Sequence, residues 1–494
     1  MPGAPAVPPC HNRDLASINP MNPWGDIVKE MLKKLVAQNS AQDNSYVELR
    51  YHKRQSNSFM AQRGRVDVAN HSLVEGIGVR ALIDGAWGFA ATARVDEASI
   101  LRAIEQARRN ALTIVAGRGK KVANLQKGKM AVVDWTGPGF AELLAMPIAD
   151  KLGAVINFER QLAKSSKALH TARCRYNELL EEKIIVTSDG AAASARIALP
   201  EFSMSAIAEK DGERATSSRG AGVSGGWTCL YNHPALDNMV EETARTAVDL
   251  LSAKHPDGGK KTVILAPAVV GLLCHEAIGH TVEADFVKTG SVAQGKIGTI
   301  VASKLVTMAD TGCETIAGYA VGNLPFDDEG VETETTTIIK DGVLVSYLHN
   351  RESAAEFGVA PTGNARAWLF NDEPLIRMRN TFLQPGTSKL ADMISEIDDG
   401  YLVEGAGSGQ ADSNGEFMFG TGYVWQIKDG KKTELLREAT LSGIAFDVLQ
   451  TVDAVSSEFR WDLGTGYCGK GQPAKVDAGG PYIRCKMNVG GRQG

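Results

Sequence analysis

Apolar side chains at Trp24, Ile27, Val28, Met31, Leu32, Leu35 and Val36 recur every three or four residues, which predicts an amphipathic helix. The period then changes to two. YVELRYH (46–52), a run near 56–60, another near 65–70 and EGIGVRALI (75–83) read as short strands. Asp84-Gly85 is a hairpin turn joining the last of these to AWGFAATA (86–93). Asp96 caps a predicted helix over 97–113, with Ala98, Leu101, Ile104 and Ala107 on its buried face. Residues 114–145 show no period and read as a connector. A helix over 147–166 precedes a second meander of strands at 169–177, 181–187, 194–199 and 202–208, with turns at Ser188-Asp189-Gly190 and Lys210-Asp211-Gly212. A helix with a polar face spans 235–253, and HPDGGKK (255–261) then breaks every pattern.

The second half opens on TVILAP (262–267), a buried-strand pattern, and a helix starting near Ala268. Strands and loops follow. VETETTTII (331–339) and VLVSYL (343–348) flank a second Lys-Asp-Gly turn, and GYVWQIK (422–428) leads into Asp429-Gly430. The three Lys-Asp-Gly tripeptides are irregularly spaced, so they are repeated turn chemistry and not a repeat unit. A helix at 440–450 precedes a Gly-rich tail, 464–494. The expected fold is α+β. A loose tail covers 1–22. An N-terminal domain over 23–230 has a mainly antiparallel sheet with helices, and a β-rich, barrel-like domain over 231–494 carries the helix that follows 262–267.

Composition narrows the class. The chain has 494 residues, too many for one ordinary core, and its 43% hydrophobic and 22% charged fractions are those of a soluble globular protein. A net charge of -5 gives no whole-chain attraction to nucleic acid or to an anionic membrane, so neither is expected as a partner. The seven cysteines are scattered without paired spacing, which argues against a disulfide framework and for a reducing compartment. No apolar run reaches the ~18 residues of a membrane span. The N-terminal stretch lacks the positive start and apolar core of a signal peptide, and a cytoplasmic location is expected.

The candidate chemistry lies in CHEAIGHTVEADF (274–286). A His-Glu pair followed by a second His suggests a metal site, but His275 and His280 are five apart rather than four. On a regular helix that spacing turns two side chains roughly 140° from each other. Both can reach one ion only if the spiral is broken, either by Gly279 in a left-handed conformation at the helix end or by a one-residue π-bulge. Zinc takes tetrahedral nitrogen, sulfur and oxygen ligands and leaves a catalytic position open. Glu276 would then be the general base toward a metal-activated water. Two histidines are too few. Glu283 and Asp285 are candidate third ligands or partners that orient the imidazoles, and distant Cys468 is a further candidate.

These residues do not stand alone. ELRYHKRQSNSF (48–59), EGIGVRALIDGAWGFAAT (75–92), HEAIGHTVEADF (275–286), PTGNARAW (361–368), GEFMFGTGYVWQIKDGK (415–431) and CGKGQ (468–472) resemble the TldD/PmbA family of metalloproteases over about residues 25–490. The resemblance implies Zn²⁺ held by His275, His280 and Cys468, with Glu276 as base. Cys-Gly-Lys-Gly-Gln is one residue shorter than the form the family leads one to expect, and Cys274 and Cys485 are the competing thiols. The resemblance also implies a substrate that is a peptide or an unfolded polypeptide. It implies a dimer, either of two such subunits or with a related subunit lacking the metal motif. Asn364 and Arg366 in PTGNARAW are candidate substrate contacts.

The expected function is therefore a zinc-dependent peptidase of the catalytic kind. Two alternatives come from other classes. One is a non-hydrolytic peptide-binding subunit of a protease dimer that keeps the motif as a relic. The other is a metal-dependent amidase acting on small molecules, which would need a narrow closed pocket where a peptidase needs an extended cleft.

Overall fold

A computed structural model describes residues 23–40, 45–118 and 124–490, so the expected tail over 1–22 lies outside the described residues. The first half forms one seven-stranded sheet. Its strands are β1 (Tyr46–Gln62), β2 (Arg65–Ile83), β3 (Ala86–Thr92), β4 (Asp134–Thr136), β5 (Leu169–Thr187), β6 (Ala192–Lys210) and β7 (Glu213–Gly222). They lie in the order β3-β2-β1-β5-β6-β4, with β7 also on β6, and every pair is antiparallel except β4–β6. The short strands read from the sequence merge into strands of 17 to 19 residues. The Asp-Gly turns form as expected: Asp84, Asp211, Asp341 and Asp429 and the glycines after them all have positive φ, the signature of a type I′ hairpin.

The polar residues that broke the reading are the reason for the merger. On one face of β1, Val47, Leu49 and Tyr51 pack with Ile77, Val79 and Ile184 beneath the helices Pro23–Ser40 and Glu97–Arg118. The alternate positions Glu48, Arg50, His52 and Arg54 are also buried, because the C-terminal half covers that face. Arg80 bridges Glu48 and Glu329, Lys183 pairs with Asp328 at 2.9 Å, and Arg54 pairs with Glu181 while lying over the Trp368 ring. Both faces of the sheet are thus closed, one by apolar packing and one by paired charge. In the helix Glu97–Arg118, Asp96 caps as expected, accepting from the Ser99 N–H at 2.9 Å. Its buried stripe is Ile100, Ala103, Ile104, Ala107 and Ala111, whereas Ala98 and Leu101 face solvent.

Helix Met239–Asp249, assigned by sequence to the C-terminal half, buries Met239, Ala244 and Ala247 against Cys174, Tyr176, Phe202 and Met204 of the first sheet. This helix therefore packs with the first sheet, and the core of the second half begins at Val263. From there the second half winds a closed ring. Strand Gly259–Leu265 pairs in parallel with Asp399–Ala411, which pairs with Glu416–Lys428, then Thr440–Ile444, then Asp477–Gly490, which returns to Gly259–Leu265. Within the stretch read as a Gly-rich tail, Asp477–Gly490 is thus the closing strand. Its first residues also pair with Asn380–Leu383, from which Met308–Thr311, Thr335–Lys340 and Val343–Leu344 extend the sheet. Residues 440–450, read as one helix, are a strand to Ile444 and a helix only from Ala445. The fold is α+β, as expected, with an antiparallel sheet and helices first and a barrel-like β domain second. No helix among the described residues is long and apolar enough to cross a membrane.

Candidate metal centre

Pro267 opens the helix that leaves strand Gly259–Leu265, at the position where its missing N–H costs nothing. Val269, Val270, Leu272, Leu273, Ala277 and Ile278 bury this helix in the core of the ring. From Leu273 to Gly279 it widens into a π-helix, followed by a single 3₁₀ turn, His280–Val282. The His280 N–H donates to the His275 carbonyl, the i→i+5 bond that sets residues five apart above one another. Of the two ways to break the spiral, the chain uses the bulge. Gly279 keeps right-handed angles, φ −54° and ψ −50°. What requires glycine there is space, since a Cβ would lie 1.9 Å from Met378 Sδ.

The widened turn faces a small hairpin, Tyr467–Gly469 with Pro473–Lys475. The two imidazole rings are 5.1 Å apart at nearly a right angle, and Cys468 Sγ is 3.2 Å from His280 Nε2. One ligand atom each from His275, His280 and Cys468 lie within 4.8 Å of one another. The buried guanidinium of Arg377 fixes the hairpin backbone, donating to the Cys468 and Gln472 carbonyls at 2.7 Å each. Gln472 accepts from the Trp368 N–H at 2.7 Å, and so ties the shorter Cys-Gly-Lys-Gly-Gln turn to 361–368.

His275 gives the site its chemical signature. It is buried, and neither ring nitrogen has a hydrogen-bond partner. An orphaned buried polar atom costs about 1–3 kcal/mol, and native proteins seldom leave two on one ring. A cation between His275, His280 and Cys468 would satisfy it, and the two-imidazole, one-thiolate set suits zinc. Charge agrees. Burial would raise the Cys468 thiol, but His275 and His280 beside it outweigh burial and bring it down to about 4. Burial would lower His280, but its bonds to Cys468 and Glu283 push it up to about 10. Without a cation the pair is thus thiolate and imidazolium, and a metal would displace the imidazolium proton. The competing thiols, Cys274 and Cys485, are both pushed up to about 12 by burial and stay protonated. Among the other described cysteines, Cys174 and Cys313 are free.

The remaining candidates divide. Glu276 is partly exposed, with Oε2 3.8 Å from His280 Nε2 and no other ion pair among the described residues. Glu283 is fully buried and accepts from His280 Nδ1 at 3.1 Å, so it orients that ring from outside the three-ligand cluster. Burial would raise its carboxyl, but His280 and Lys470 hold it below the ordinary value. Asp285 is more exposed and pairs with Lys470. Asn364 and Arg366 spend their polar groups on the scaffold. The Asn364 amide donates to Asp310 Oδ2 and the Arg377 carbonyl, and the Arg366 guanidinium donates to the Met378 and Lys475 carbonyls. Sequence reasoning missed Arg377 and Lys470. Lys470 is inside the quoted CGKGQ, whereas Arg377 carries no local signal.

Residues 47–111, 141–251 and 258–491 match three successive family models, described as PmbA/TldA metallopeptidase domain 1, central domain and C-terminal domain. The chain is 32% identical over 455 residues to a protein named Metalloprotease from Methanothermobacter thermautotrophicus, covering 90% of this chain and 95% of that protein. It is 31% identical over 472 residues to the Metalloprotease TldD homolog of Haemophilus influenzae, covering 90% and 93%. Among solved structures, a putative modulator of a DNA gyrase from Thermotoga maritima has a TM-score of 0.76 at 20% identity, covering 94% of this chain and 99% of that one. TldE from Thermococcus kodakarensis has a TM-score of 0.76 at 17% identity, covering 93% and 100%. At these identities the two structures speak for the fold alone.

Proposed function

The chain belongs to the PmbA/TldA metallopeptidase family and is a metallopeptidase; from that premise we propose a zinc-dependent enzyme that hydrolyses peptides or unfolded polypeptides, with Glu276 as general base. The observation that carries this reading is the doubly orphaned, buried His275 beside His280 and the Cys468 thiolate. Those three side chains would hold the metal. Zinc bound there would polarise a substrate carbonyl and make water acidic enough to attack at neutral pH. The protein's own residues do the rest. Glu283 takes the Nδ1 side of His280, which leaves Nε2 for ligation. Glu276 is partly exposed and its Oε2 stands 3.8 Å from His280 Nε2, close enough to the three-ligand cluster to accept a proton there and pass it to a leaving amine. Dimerisation, with a second copy or with a related subunit lacking the motif, and a cytoplasmic location are part of the same proposal.

Glu276→Gln tests it, because the amide keeps the shape and removes the base. The expected result is normal zinc content with peptide cleavage reduced about 10²–10⁴-fold. Full cleavage with zinc bound would overturn the role of Glu276.

A further inference from the structure

Lys470 lies two residues beyond Cys468 at the tip of the hairpin, and its ammonium group is only slightly exposed. Its three protons have three acceptors on two other segments: Glu283 Oε2 at 3.0 Å, Asp285 Oδ1 at 2.8 Å and the Ile376 carbonyl at 3.0 Å. The same nitrogen sits 4.3 Å from the centre of the Phe286 ring. Glu283 Oε2 is shared, because it also accepts from His280 Nδ1. One carboxylate oxygen therefore connects a ligand histidine on the π-helix side to the segment that carries the ligand cysteine. These ligands are 188 residues apart in sequence, and the Lys470–Glu283–His280 chain joins them at the back of the site.

Resting on the three-ligand reading above, we infer that Lys470 is a positioning residue: by clamping the Cys468 hairpin to the Glu283 carboxylate that orients His280, it sets how tightly the site holds its metal. Three physical points support it. Glu283 is a buried carboxylate whose other oxygen has no partner, so a cation at Oε2 is what makes its burial tolerable. An ammonium group satisfies three acceptors in a tetrahedral spread, whereas the planar guanidinium of arginine does not. Among the described residues the hairpin strands pair only with each other, over three residues each, so their placement depends on side-chain ties such as this one and on Arg377.

The test compares wild type with Lys470→Met, which keeps the length of the side chain and removes all three protons. Zinc dissociation constants come from chelator competition, and Co²⁺ substitution reports the thiolate through its charge-transfer band. Lys470→Met is expected to bind zinc about 10–100-fold more weakly, the usual effect of losing an outer partner of a metal ligand. At saturating Co²⁺ it should still show the thiolate band, since the ligands remain. Lys470→Arg should fall between the two. Asp285→Asn, at the more exposed end of the clamp, should weaken binding a few-fold and covers the case in which Lys470→Met does not fold. Equal zinc affinity in wild type, Lys470→Met and Asp285→Asn would overturn the clamp while leaving the ligand set intact. Absence of the thiolate band in wild type would overturn the ligand set, and the clamp with it. A lower unfolding temperature at unchanged affinity would mark Lys470 as a structural tie only and would also overturn the proposal.

Discussion

Gly279 offers a sharp test of the bulge. Its backbone angles are ordinary helical ones, so alanine could adopt them freely, and helix propensity alone would favour alanine by about 1 kcal/mol. Space opposes it. A Cβ at this position would lie 1.9 Å from Met378 Sδ, 3.0 Å from Met378 Cε and 3.1 Å from the Cys274 carbonyl oxygen. Met378 is fully buried and cannot swing into solvent. Overpacking of this kind costs about 1–3 kcal/mol, and with Met378 fully buried the upper part of that range, about 2–3 kcal/mol, applies, so Gly279→Ala should lose about 1–2 kcal/mol net of the propensity gain. The strain falls on the turn between His275 and His280. Expressed wholly at the site, it weakens zinc binding roughly 5–30-fold. Chelator competition is the appropriate assay, because it reads the site directly, whereas unfolding also reports the chain's other cores. Adding Met378→Ala should recover affinity relative to Gly279→Ala alone, with a coupling energy of about 1 kcal/mol or more. Wild-type zinc affinity in Gly279→Ala would refute the reasoning, for it would mean that the π-helix does not depend on the contact with Met378.

The metal-free protein should carry a pH signature. Cys468 falls from its ordinary 9.0 to about 4 and His280 rises from 6.5 to about 10, so their joint contribution to stability builds from about pH 4 to 6.5 and holds level to 9.0. It then declines toward about pH 10, as the folded imidazolium loses its proton. Thermal unfolding midpoints across that range should show the rise in wild type and not in Cys468→Ala, which should also lose zinc. An unchanged profile, or unchanged zinc content, in Cys468→Ala would remove the thiolate from the site. In the first half, Lys151 and Glu178 are buried together, with Nζ 2.8 Å from both carboxylate oxygens. Lys151→Met leaves that carboxylate unneutralised and should cost about 3–5 kcal/mol in urea unfolding. Adding Glu178→Gln should recover much of this, and an equal loss in both variants would refute the account.

The sequence was most legible where local chemistry decides the structure. Asp84-Gly85, Asp211-Gly212, Asp341-Gly342 and Asp429-Gly430 need positive φ at two successive residues, and their chemistry states it. The five-residue spacing of His275 and His280 demanded a distorted helix, and the chain supplies one. Alternation does not reveal that the second face of a strand is buried by charge, as at Glu48, Arg50, His52 and Arg54. It failed at 477–490, where Gly479 and Gly480 suggested a tail. Gly479 is needed because a Cβ there would lie 2.4 Å from the Arg460 carbonyl oxygen of the adjacent strand. In the helix after Asp96, Ile104 and Ala107 are buried as expected and Ala98 and Leu101 are not, since an alanine-rich helix marks its buried stripe weakly. Arg377 and the partners of Lys470 were illegible for a different reason: they act across 91 to 187 residues of chain, on backbone carbonyls and carboxylates that no local pattern reveals.

The closing strand of the ring also sets a schedule. Strand Gly259–Leu265 must wait for residues 483–489 before its second edge is paired. Roughly two hundred residues are made in between, which at ~5–20 residues per second takes on the order of ten to forty seconds on the ribosome. Cys468 emerges late in the same interval. Throughout that time strand Gly259–Leu265 has its second edge unpaired. The ring closes and the proposed three-ligand cluster is completed within the same short stretch of synthesis.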